Sequence, residues 1–433
     1  FAINAAHASG LEFHAYINTH TCWQSAAHTP PADPDHLYYQ HCNAADPDAR
    51  DWLIHDASGV PVQYGESDYV WIAPGVPAPN DYTRQQILYV VQNYDVDGVH
   101  FDRIRTPGQQ YSHDPISVAR LNGQGNPNGL GFDDWTRDQI TRFVRDVYAE
   151  IQLVKPWVKV SSAPLGLYAQ SAYPGYPSGF NYGYTFNHQD AVAWMAAGAM
   201  DFICPQIYWA DGGALPNFSD ILPFWVANSS GRHVIAGQIT SVGVTELLHE
   251  IDVSRADGAQ GNTVFSYSSF SFWGNYSSGP YAQATDIPAL PWKDSPTDGV
   301  IVGHVHDVAT GLPLTDVHII RSASTYTALS SADGFYSMLK IPPGVYFITA
   351  TMPCYSRRTV PGVSVTAGNV AELDLGMLIG DANVDGMVNT VDLVTIRNQL
   401  DQVGPSDADV NCDNVRNLAD IIRCRNYQGL SDP

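Results

Sequence analysis

The chain has 433 residues, 44% of them hydrophobic, which is enough for roughly two to four domains and at least one large core. Its formal net charge is −23, and a surface of that sign repels phosphate backbones, so nucleic acid is not an expected partner. No apolar run is long enough for a membrane span. The chain begins at Phe1 within a helical pattern, so we expect a processed or truncated fragment, and an export signal would lie outside it.

Helix and strand patterns alternate from residue 1 to about residue 290. A helix over 2–9, closed by Gly10, precedes a strand over 11–18 that is rich in aromatic and apolar residues. The same order recurs in the helix–strand pairs 82–93 with 97–102, 133–153 with 157–164, 190–197 with 201–209, 218–227 with 233–240, and 245–257 with 262–269. Helices that separate short apolar strands predict a parallel sheet, because parallel neighbours need crossover connections.

This pattern fits an α/β barrel of the eight-stranded TIM type, placed at residues 1–292, whose first two units are missing. A six-stranded open sheet fits less well, because no glycine-rich phosphate turn follows an early strand. Polar residues also collect at the C-terminal ends of nearly every strand, where barrel active sites are built. The loops after the first two strands, about 19–80 and 103–132, are long, and loops of that length are usually functional.

A polar segment at 293–298 is expected to be a linker to a second domain at 299–378. Alternating strands separated by Gly, Pro and Asp turns predict a small antiparallel β-sandwich there. Its stretches HVHDVATGLPLTDVHII, SADGFYSM and IPPGVYFITA resemble the carboxypeptidase-regulatory-like domain. That resemblance implies a largely structural role, as a spacer or stabiliser.

Two twelve-residue segments, 381–392 and 409–420, have the spacing of calcium loops. Hard cations need oxygen ligands at alternating positions of a tight loop. The predicted ligands, with backbone carbonyls from Met387 and Val415, are Asp381, Asn383, Asp385, Met387, Asn389 and Asp392 in the first loop, and Asp409, Asn411, Asp413, Val415, Asn417 and Asp420 in the second. Asn414 stands where glycine is usual, and asparagine tolerates the left-handed backbone that this position needs.

An apolar helix follows each of these loops. The repeated loop-plus-helix unit resembles a type I dockerin over 380–426, and we assign residues 379–433 to that module. The resemblance implies two bound calcium ions and, as partner, a cohesin domain of a scaffold protein. It also makes the chain an extracellular or cell-surface protein.

The densest polar cluster on any predicted strand is DVDGVHFDRIRTPG, residues 95–108. His100 and Asp102 are two residues apart, so they point to one side of the strand, which in a barrel can be the interior. Asp102 is then near the catalytic rim, with Arg103 and Arg105 just beyond it. A carboxylate beside guanidinium groups suits a nucleophile or an electrostatic stabiliser of an oxocarbenium-like transition state. The alternative is a buried structural Asp–Arg pair.

The stretches AINAAHASGLEFHAYIN, YDVDGVHFDRIRTPG and DFICPQIYW together resemble the glycosyl hydrolase-like 10 family, over about residues 1–290. This barrel family includes hydrolases of peptidoglycan glycan strands. The resemblance implies an essential acid at the end of the fourth barrel strand, which is Asp102 here. It also places residues 11–18 as the third strand. A catalytic carboxylate in the missing units would leave this fragment an incomplete enzyme.

Other polar side chains follow the same strand ends, each with ordinary barrel filling as the alternative. Gln206 and Tyr208 can hydrogen-bond sugar hydroxyls, and Trp209 offers a face for a pyranose ring. His14 is expected to pack instead. The predicted substrate-binding residues are Asn18, His100, Arg103, Arg105, Gln206, Tyr208, Trp209, Gln238 and Tyr267.

The second catalytic group is left open. Hydrolysis by two carboxylates needs a general acid, for which Asp211 is the first candidate and Glu246 the second. In a substrate-assisted mechanism a tyrosine, here Tyr208, and an aspartate hold the substrate's own acetamido group, so one protein acid suffices.

The sequence therefore predicts a secreted glycoside hydrolase that cleaves a polysaccharide, with N-acetylated sugars such as peptidoglycan glycan strands as the favoured class. The alternative is a non-catalytic glycan-binding scaffold on a degenerate barrel, and a metal-dependent hydrolase is a weaker third. In an oxidising compartment Cys22 could pair with Cys42, and Cys412 with Cys424. Cys204 is expected to be a buried thiol.

Overall fold

The computed structural model describes residues 1–283 and 285–431, and the chain divides into two compact units. The first unit comprises Phe1–Val118 and Leu130–Ser295, and the second comprises Ala119–Gly129 and Pro296–Pro433. Each unit is described by itself.

The described residues from Phe1 to Ser295 hold the first unit and the short segment Ala119–Gly129 of the second. They contain α-helices, β-strands and single 3₁₀ turns at Glu66–Asp68, Gln170–Ala172, Thr240–Val242 and Tyr267–Ser269. The helices and strands, in chain order, are α1 (Ala2–Ala8), β1 (His14–Asn18), β2 (Thr21–Gln24), α2 (Leu37–His41), β3 (Tyr69–Trp71), α3 (Pro77–Asn93), β4 (Gly98–Asp102), α4 (Pro115–Leu121), α5 (Phe132–Val154), β5 (Lys159–Ser162), α6 (Gly183–Phe186), α7 (Ala191–Ala196), β6 (Phe202–Ile203), α8 (Phe218–Ala227), β7 (His233–Ile239), α9 (Val244–Asp257), β8 (Gly261–Phe265), α10 (Trp273–Ser278) and α11 (Pro291–Asp294).

A six-stranded sheet in the order β1-β4-β5-β6-β7-β8 forms the centre of the first unit. Every neighbouring pair of these strands is parallel. The predicted alternation of helices and parallel strands is therefore confirmed, and the unit is an α/β half-barrel of parallel strands. An eight-stranded barrel stays a prediction.

Strand β6 is much shorter than its predicted range of 201–209. Pro205 has no N–H to donate to a neighbouring strand, so the regular ladder stops before it. Gln206 resumes the pairing through isolated bridges to Leu165 and Gly237. The chain thus keeps its direction along the sheet and brings residues 206–209 to the C-terminal edge.

The long helix α5 follows from its sequence pattern. Asp133 and Asp134 lie in its first turn, where negative charge favours the positive end of the helix dipole. The apolar residues that recur every three or four positions are buried, and they include Trp135, Ile140, Phe143, Val144, Val147 and Ile151. This helix is the longest in the described chain, and no helix there is long and apolar enough to cross a membrane.

The segment after β1 has its own hydrophobic core. The antiparallel pair of β2 and β3 closes it. The buried residues of this core are Tyr38, Cys42, Trp52, Leu53, Ile54, Val70, Trp71, Ile72, Ala73 and Val76. The sequence predicted only a long functional loop here, because these apolar residues follow no single period. Cys22 and Cys42 are free thiols in hydrogen-bond contact, and burial raises the pKa of Cys42 well above its usual range.

The second unit contains a β-sandwich followed by two helices. Its strands and helices are β9 (Gly299–Asp307), β10 (His318–Arg321), β11 (Thr327–Leu329), β12 (Phe335–Ile341), β13 (Gly344–Thr351), β14 (Arg358–Val365), β15 (Val370–Glu372), β16 (Leu375–Met377), α12 (Thr390–Arg397) and α13 (Leu418–Asn426). One sheet has the order β11-β10-β13-β14, and the other has β12-β9-β15, with β16 also pairing with β9. The expected antiparallel arrangement is wrong for β15 and β16, which run parallel to β9.

A disulfide joins Cys354, which follows β13, to Cys412 in the segment between α12 and α13. The proposed pairing of Cys412 with Cys424 is therefore wrong. Cys424 is fully buried on α13, and its Sγ lies 3.2 Å from the carbonyl oxygen of Gly380. Cys204 is buried as expected.

Candidate active site

Asp102 is the last residue of β4, at the C-terminal edge of the parallel sheet. It lies in register with Asn18, the last residue of β1. Three donors contact its carboxylate: the Tyr16 hydroxyl at 2.5 Å, the backbone N–H of Arg103 at 2.6 Å, and the Gln206 amide at 3.4 Å. Both oxygens accept a hydrogen bond, so the orientation of this carboxylate is fixed by groups from three strands or strand ends.

The chain turns sharply immediately after Asp102. Arg103 has a φ of 52°, in the left-handed region, which costs a residue other than glycine about 1–3 kcal/mol. This turn directs the backbone N–H of Arg103 to the carboxylate of Asp102. Strained backbone of this kind concentrates at functional sites.

The guanidinium groups of Arg103 and Arg105 both pair with Glu66, from the segment between β1 and β3. Arg103 Nη1 lies 3.3 Å from Glu66 Oε1. Arg105 forms a bidentate ion pair with the two carboxylate oxygens of Glu66. Arg103 also lies over the ring of Tyr69, at 4.6 Å from its centroid. The arginines therefore tie this segment to the end of β4, and their ion pairs are with Glu66.

His100 lies on the same face of β4 as Asp102 and is largely buried. Its Nδ1 lies 2.8 Å from the Ser161 hydroxyl, and its ring stacks on Tyr16 at a centroid distance of 6.0 Å. Burial lowers the pKa of His100 to about 4, and this outweighs the opposing effect of the Asp102 charge. His100 is thus neutral at neutral pH.

The shifted His100 predicts a stability change with pH. The pKa of His100 falls from 6.5 in the unfolded chain to about 4 in the folded protein, so protonation of this histidine favours the unfolded chain. The folded protein is therefore most stable above pH 6.5, and it loses stability as the pH falls towards 4. Between pH 7 and pH 5 the loss from this group is about 2 kcal/mol. The free energy of unfolding is measured with urea at pH 7 and at pH 5. Between these pH values it should fall by about 2 kcal/mol less in His100→Gln than in the unchanged protein. An equal fall in both proteins would show that the pKa of His100 is not lowered in the folded state.

Tyr208 and Trp209 follow the short strand β6, and Tyr208 lies close enough to the same carboxylate to be affected by its charge. Burial and the charge of Asp102 both raise the pKa of Tyr208, whose ring stacks on Phe265 at 6.0 Å. A Cβ at Gly166 would lie 2.9 Å from the Trp209 ring and 2.4 Å from the Gln206 carbonyl oxygen. Glycine is thus required there for the close packing of this strand end.

Gln238 and Tyr267 lie in very different surroundings. Gln238 is fully buried, and its amide donates to the Leu247 carbonyl and to Glu250 Oε2, at 3.0 and 2.8 Å. Burial raises the pKa of Glu250 to about 8. Tyr267 is 82% exposed, with its ring 5.5 Å from that of Trp273. Tyr267 is accessible to a ligand, whereas the amide of Gln238 is used within the protein.

Asp211 belongs to a separate cluster. Its Oδ2 lies 3.0 Å from His249 Nε2, its Oδ1 accepts from the Ser219 backbone, and its N–H donates to Glu246 Oε1 at 2.7 Å. Both carboxylates proposed as the second acid are therefore in one group with His249. His14, expected to pack, fills the space beside Gly98, where a Cβ would lie 2.3 Å from its ring.

Two segments of the chain match known protein families. The model of the family named glycosyl hydrolase-like 10 matches residues 1–240, which is more than half of the chain. The chain belongs to that family. Residues 300–378 match the carboxypeptidase regulatory-like domain. The resemblances to these two families are thus confirmed, whereas the dockerin at residues 379–433 stays a prediction.

Two relatives of known name match the same region. Glycosyl hydrolase YngK of Bacillus subtilis is 27% identical over 245 residues, which cover 55% of this chain and 44% of YngK. Glycosyl hydrolase DigH of Escherichia coli K12 is 26% identical over 244 residues, covering 53% and 49%. The chain thus spans about half the length of these relatives. The glycoside hydrolase domain of PgaB (BpsB) from Bordetella bronchiseptica is 15% identical over 62% of this chain and 74% of that one, with a TM-score of 0.41.

Two residues that contact the Asp102 site, Tyr16 and Glu66, were not predicted from the sequence. Tyr16 lies between His14 and Asn18 in β1, and these three residues share one face of the strand because alternate side chains point the same way. The parallel register with β4 places Tyr16 opposite His100. The period of two could have indicated it. Glu66 had no such signal, because its position depends on how the segment after β1 folds.

Proposed function

We propose that the protein is a glycoside hydrolase in which the carboxylate of Asp102 is the essential catalytic group. The observation that supports this most is the position of Asp102, at the C-terminal end of a parallel strand and held by donors from Tyr16, Arg103 and Gln206. A fixed carboxylate at this edge can stabilise positive charge that develops at the anomeric carbon, or orient a group that does so. Membership of the glycosyl hydrolase-like 10 family supports the same reaction class.

For the second catalytic group we favour the substrate's own acetamido group. Asp211 has hydrogen bonds to His249 and Ser219, and Glu66 is paired with two arginines. Tyr208, in contrast, lies close enough to Asp102 for the charge of that carboxylate to raise the pKa of the tyrosine, in addition to the effect of burial. Held by a tyrosine and an aspartate, the acetamido oxygen can attack the anomeric carbon in place of a protein nucleophile, while the departing glycosidic oxygen takes its proton from water. The substrate class we propose is therefore a polysaccharide with N-acetylated sugars, such as peptidoglycan glycan strands.

Release of reducing ends tests this proposal. The full chain would be incubated with N-acetylated glycan strands and with the same strands after chemical removal of the acetyl groups. We expect cleavage of the first only, because the de-N-acetylated strands lack the participating group. Equal cleavage of both would contradict substrate assistance. Binding to the strands without any release of reducing ends would instead favour the non-catalytic scaffold.

Tyr16→Phe tests the surroundings of Asp102. The substitution removes the hydroxyl that donates to Oδ2 and keeps the ring that stacks on His100. We expect kcat on a cleaved glycan to fall about tenfold, since a hydrogen bond to a charged group contributes about 1.5 kcal/mol. Tyr89→Phe, at an exposed tyrosine on α3, is the control and should leave kcat unchanged. A Tyr16 variant of normal kcat would show that this hydrogen bond plays no part.

We further propose that residues 379–433 are a dockerin with two calcium ions. The two loops have matching contacts: Gly386 N–H donates to Asp381 Oδ2 at 2.8 Å, and Asn414 N–H donates to Asp409 Oδ2 at 2.9 Å. Asn414 takes the left-handed conformation, with a φ of 65°. Residues at the same positions of both loops thus make the same turn.

The oxygen atoms of these loops fit calcium. Asp392 and Asp420 are fully buried, and no lysine or arginine in the described chain pairs with either. The Oδ1 atom of Asp409 is buried without a hydrogen-bond partner in the described residues. Buried carboxylates of this kind need a cation, and oxygen-only donors with Met387 and Val415 carbonyls suit calcium.

A cohesin domain is the partner that we propose for this module, and the cell surface or the medium is the location. The disulfide between Cys354 and Cys412 supports the location, because such bonds persist in oxidising compartments. Surface plasmon resonance against immobilised cohesin domains would test the partner. Binding that needs calcium is expected, and failure to bind any cohesin type would contradict the dockerin assignment while leaving the hydrolase proposal untouched.

A further inference from the structure

Three side chains that bind metals well meet beyond the C-terminal end of β6. Asp211 lies in the loop after that strand, and Glu246 and His249 lie on α9. One potential ligand atom from each lies within 4.8 Å of the other two. Glu246 and His249 are three residues apart, so they share one face of the helix.

Backbone contacts hold this group in place. The N–H of Asp211 donates to Glu246 Oε1 at 2.7 Å, which fixes the loop against α9. The N–H of Ser219, next to the start of α8, donates to Asp211 Oδ1 at 2.9 Å. One oxygen of each carboxylate is therefore occupied by a backbone N–H, and the second oxygen of Asp211 contacts the imidazole of His249 at 3.0 Å.

A second observation comes from Glu250, which lies one turn from Glu246 on α9. Its side chain is 1% exposed, and the carboxylates of Glu246 and Asp211 act on it electrostatically. Oε2 accepts from Gln238, but Oε1 is buried without a hydrogen-bond partner in the described residues. Nor does any lysine or arginine of the described chain pair with Asp211, Glu246 or Glu250.

Two carboxyl groups and one imidazole thus meet at one point, with the buried carboxyl group of Glu250 on the next turn of α9, and no lysine or arginine among the described residues pairs with these groups. We propose that Asp211, Glu246 and His249 bind one divalent transition-metal ion of the zinc class, with Glu250 as a buried acid behind them. Imidazole nitrogen with two carboxylate oxygens is a donor set that zinc accepts, whereas calcium prefers oxygen ligands alone. The ion would join the loop after β6 to helix α9.

Isothermal titration with Zn²⁺ tests this site in the full chain. Bound metal is first removed with a chelator, and the protein is then exchanged into millimolar calcium so that the C-terminal loops are saturated. We expect one saturable Zn²⁺ per chain. His249→Ala and Glu246→Gln should each weaken it at least about tenfold, because even outer partners of a metal site contribute that much.

His28→Ala is the matched control, because His28 is an exposed histidine that pairs with Asp68 at 2.9 Å and has no third ligand nearby among the described residues. It should leave Zn²⁺ binding unchanged, and zinc should raise the melting temperature of both this control and the unchanged protein. Absence of saturable binding, or binding as tight in His249→Ala as in the control, would overturn the proposal and leave the Asp211–His249 contact a simple hydrogen bond. Binding is measured directly, so the result does not depend on glycan hydrolysis.

Discussion

Replacing Asp102 by asparagine should lower kcat on a cleaved glycan by about 10²–10⁴-fold, the usual contribution of a positioned catalytic acid or base. Asparagine has nearly the same volume, and its oxygen can still accept from Tyr16 or from the backbone of Arg103. The substitution removes the negative charge that the transition state needs. The measurement is reducing-end release at saturating substrate, with a glycan-binding assay on the same variant.

A matched control for this change exists elsewhere in the first unit. Asp190 also accepts from a tyrosine hydroxyl, that of Tyr168 at 2.9 Å, and from a backbone N–H, that of Ala193 at 3.0 Å. Asparagine caps a helix about as well as aspartate, so Asp190→Asn should keep kcat within about twofold. Normal turnover by Asp102→Asn would remove Asp102 from the mechanism, whereas retained binding with lost turnover supports an enzyme over a scaffold.

Much of the first unit could be predicted because each signal is local. Apolar runs such as 97–102 and 233–240 alternate with helical periods such as that of α5, and only a parallel sheet accommodates that order. The period of two then placed Asp102 and His100 on one face of β4, as the structure has them. Local pattern also places Asp102 at the C-terminal edge, where it lies in register with Asn18.

The contacts that complete the site depend on distant parts of the chain. Glu66 reaches Arg103 and Arg105 only because the segment after β1 folds on its own core, whose residues follow no single period. Gln238 was expected at the rim because it ends a strand, but its amide is fixed to Leu247 and Glu250. Neither the pairing partner nor the depth of such a side chain is encoded in the spacing of its neighbours.

Removing calcium should unfold the C-terminal module while the rest of the chain stays folded. Helices α12 and α13 have 8 and 9 residues, below the ~12–15 residues at which isolated helices become even marginally stable. Without cations the buried carboxylates of Asp392 and Asp420 would also repel the other acids of their loops. Each ion contributes about 4 kcal/mol when free calcium is about 1,000 times its Kd.

Differential scanning calorimetry of the full chain, with calcium and with a chelator, measures this effect. We expect a separate low-temperature transition in the chelator that disappears when calcium is restored. Asp392→Ala and Asp420→Ala should show that transition even in calcium, because each removes a buried ligand from one loop. Asp401→Asn, at an exposed position outside both loops, is the control and should melt as the unchanged protein does. Since a chelator also strips metal from other sites, the loop variants decide the origin of the transition. If they melt like Asp401→Asn in calcium, the loops do not bind the ion and the dockerin assignment fails.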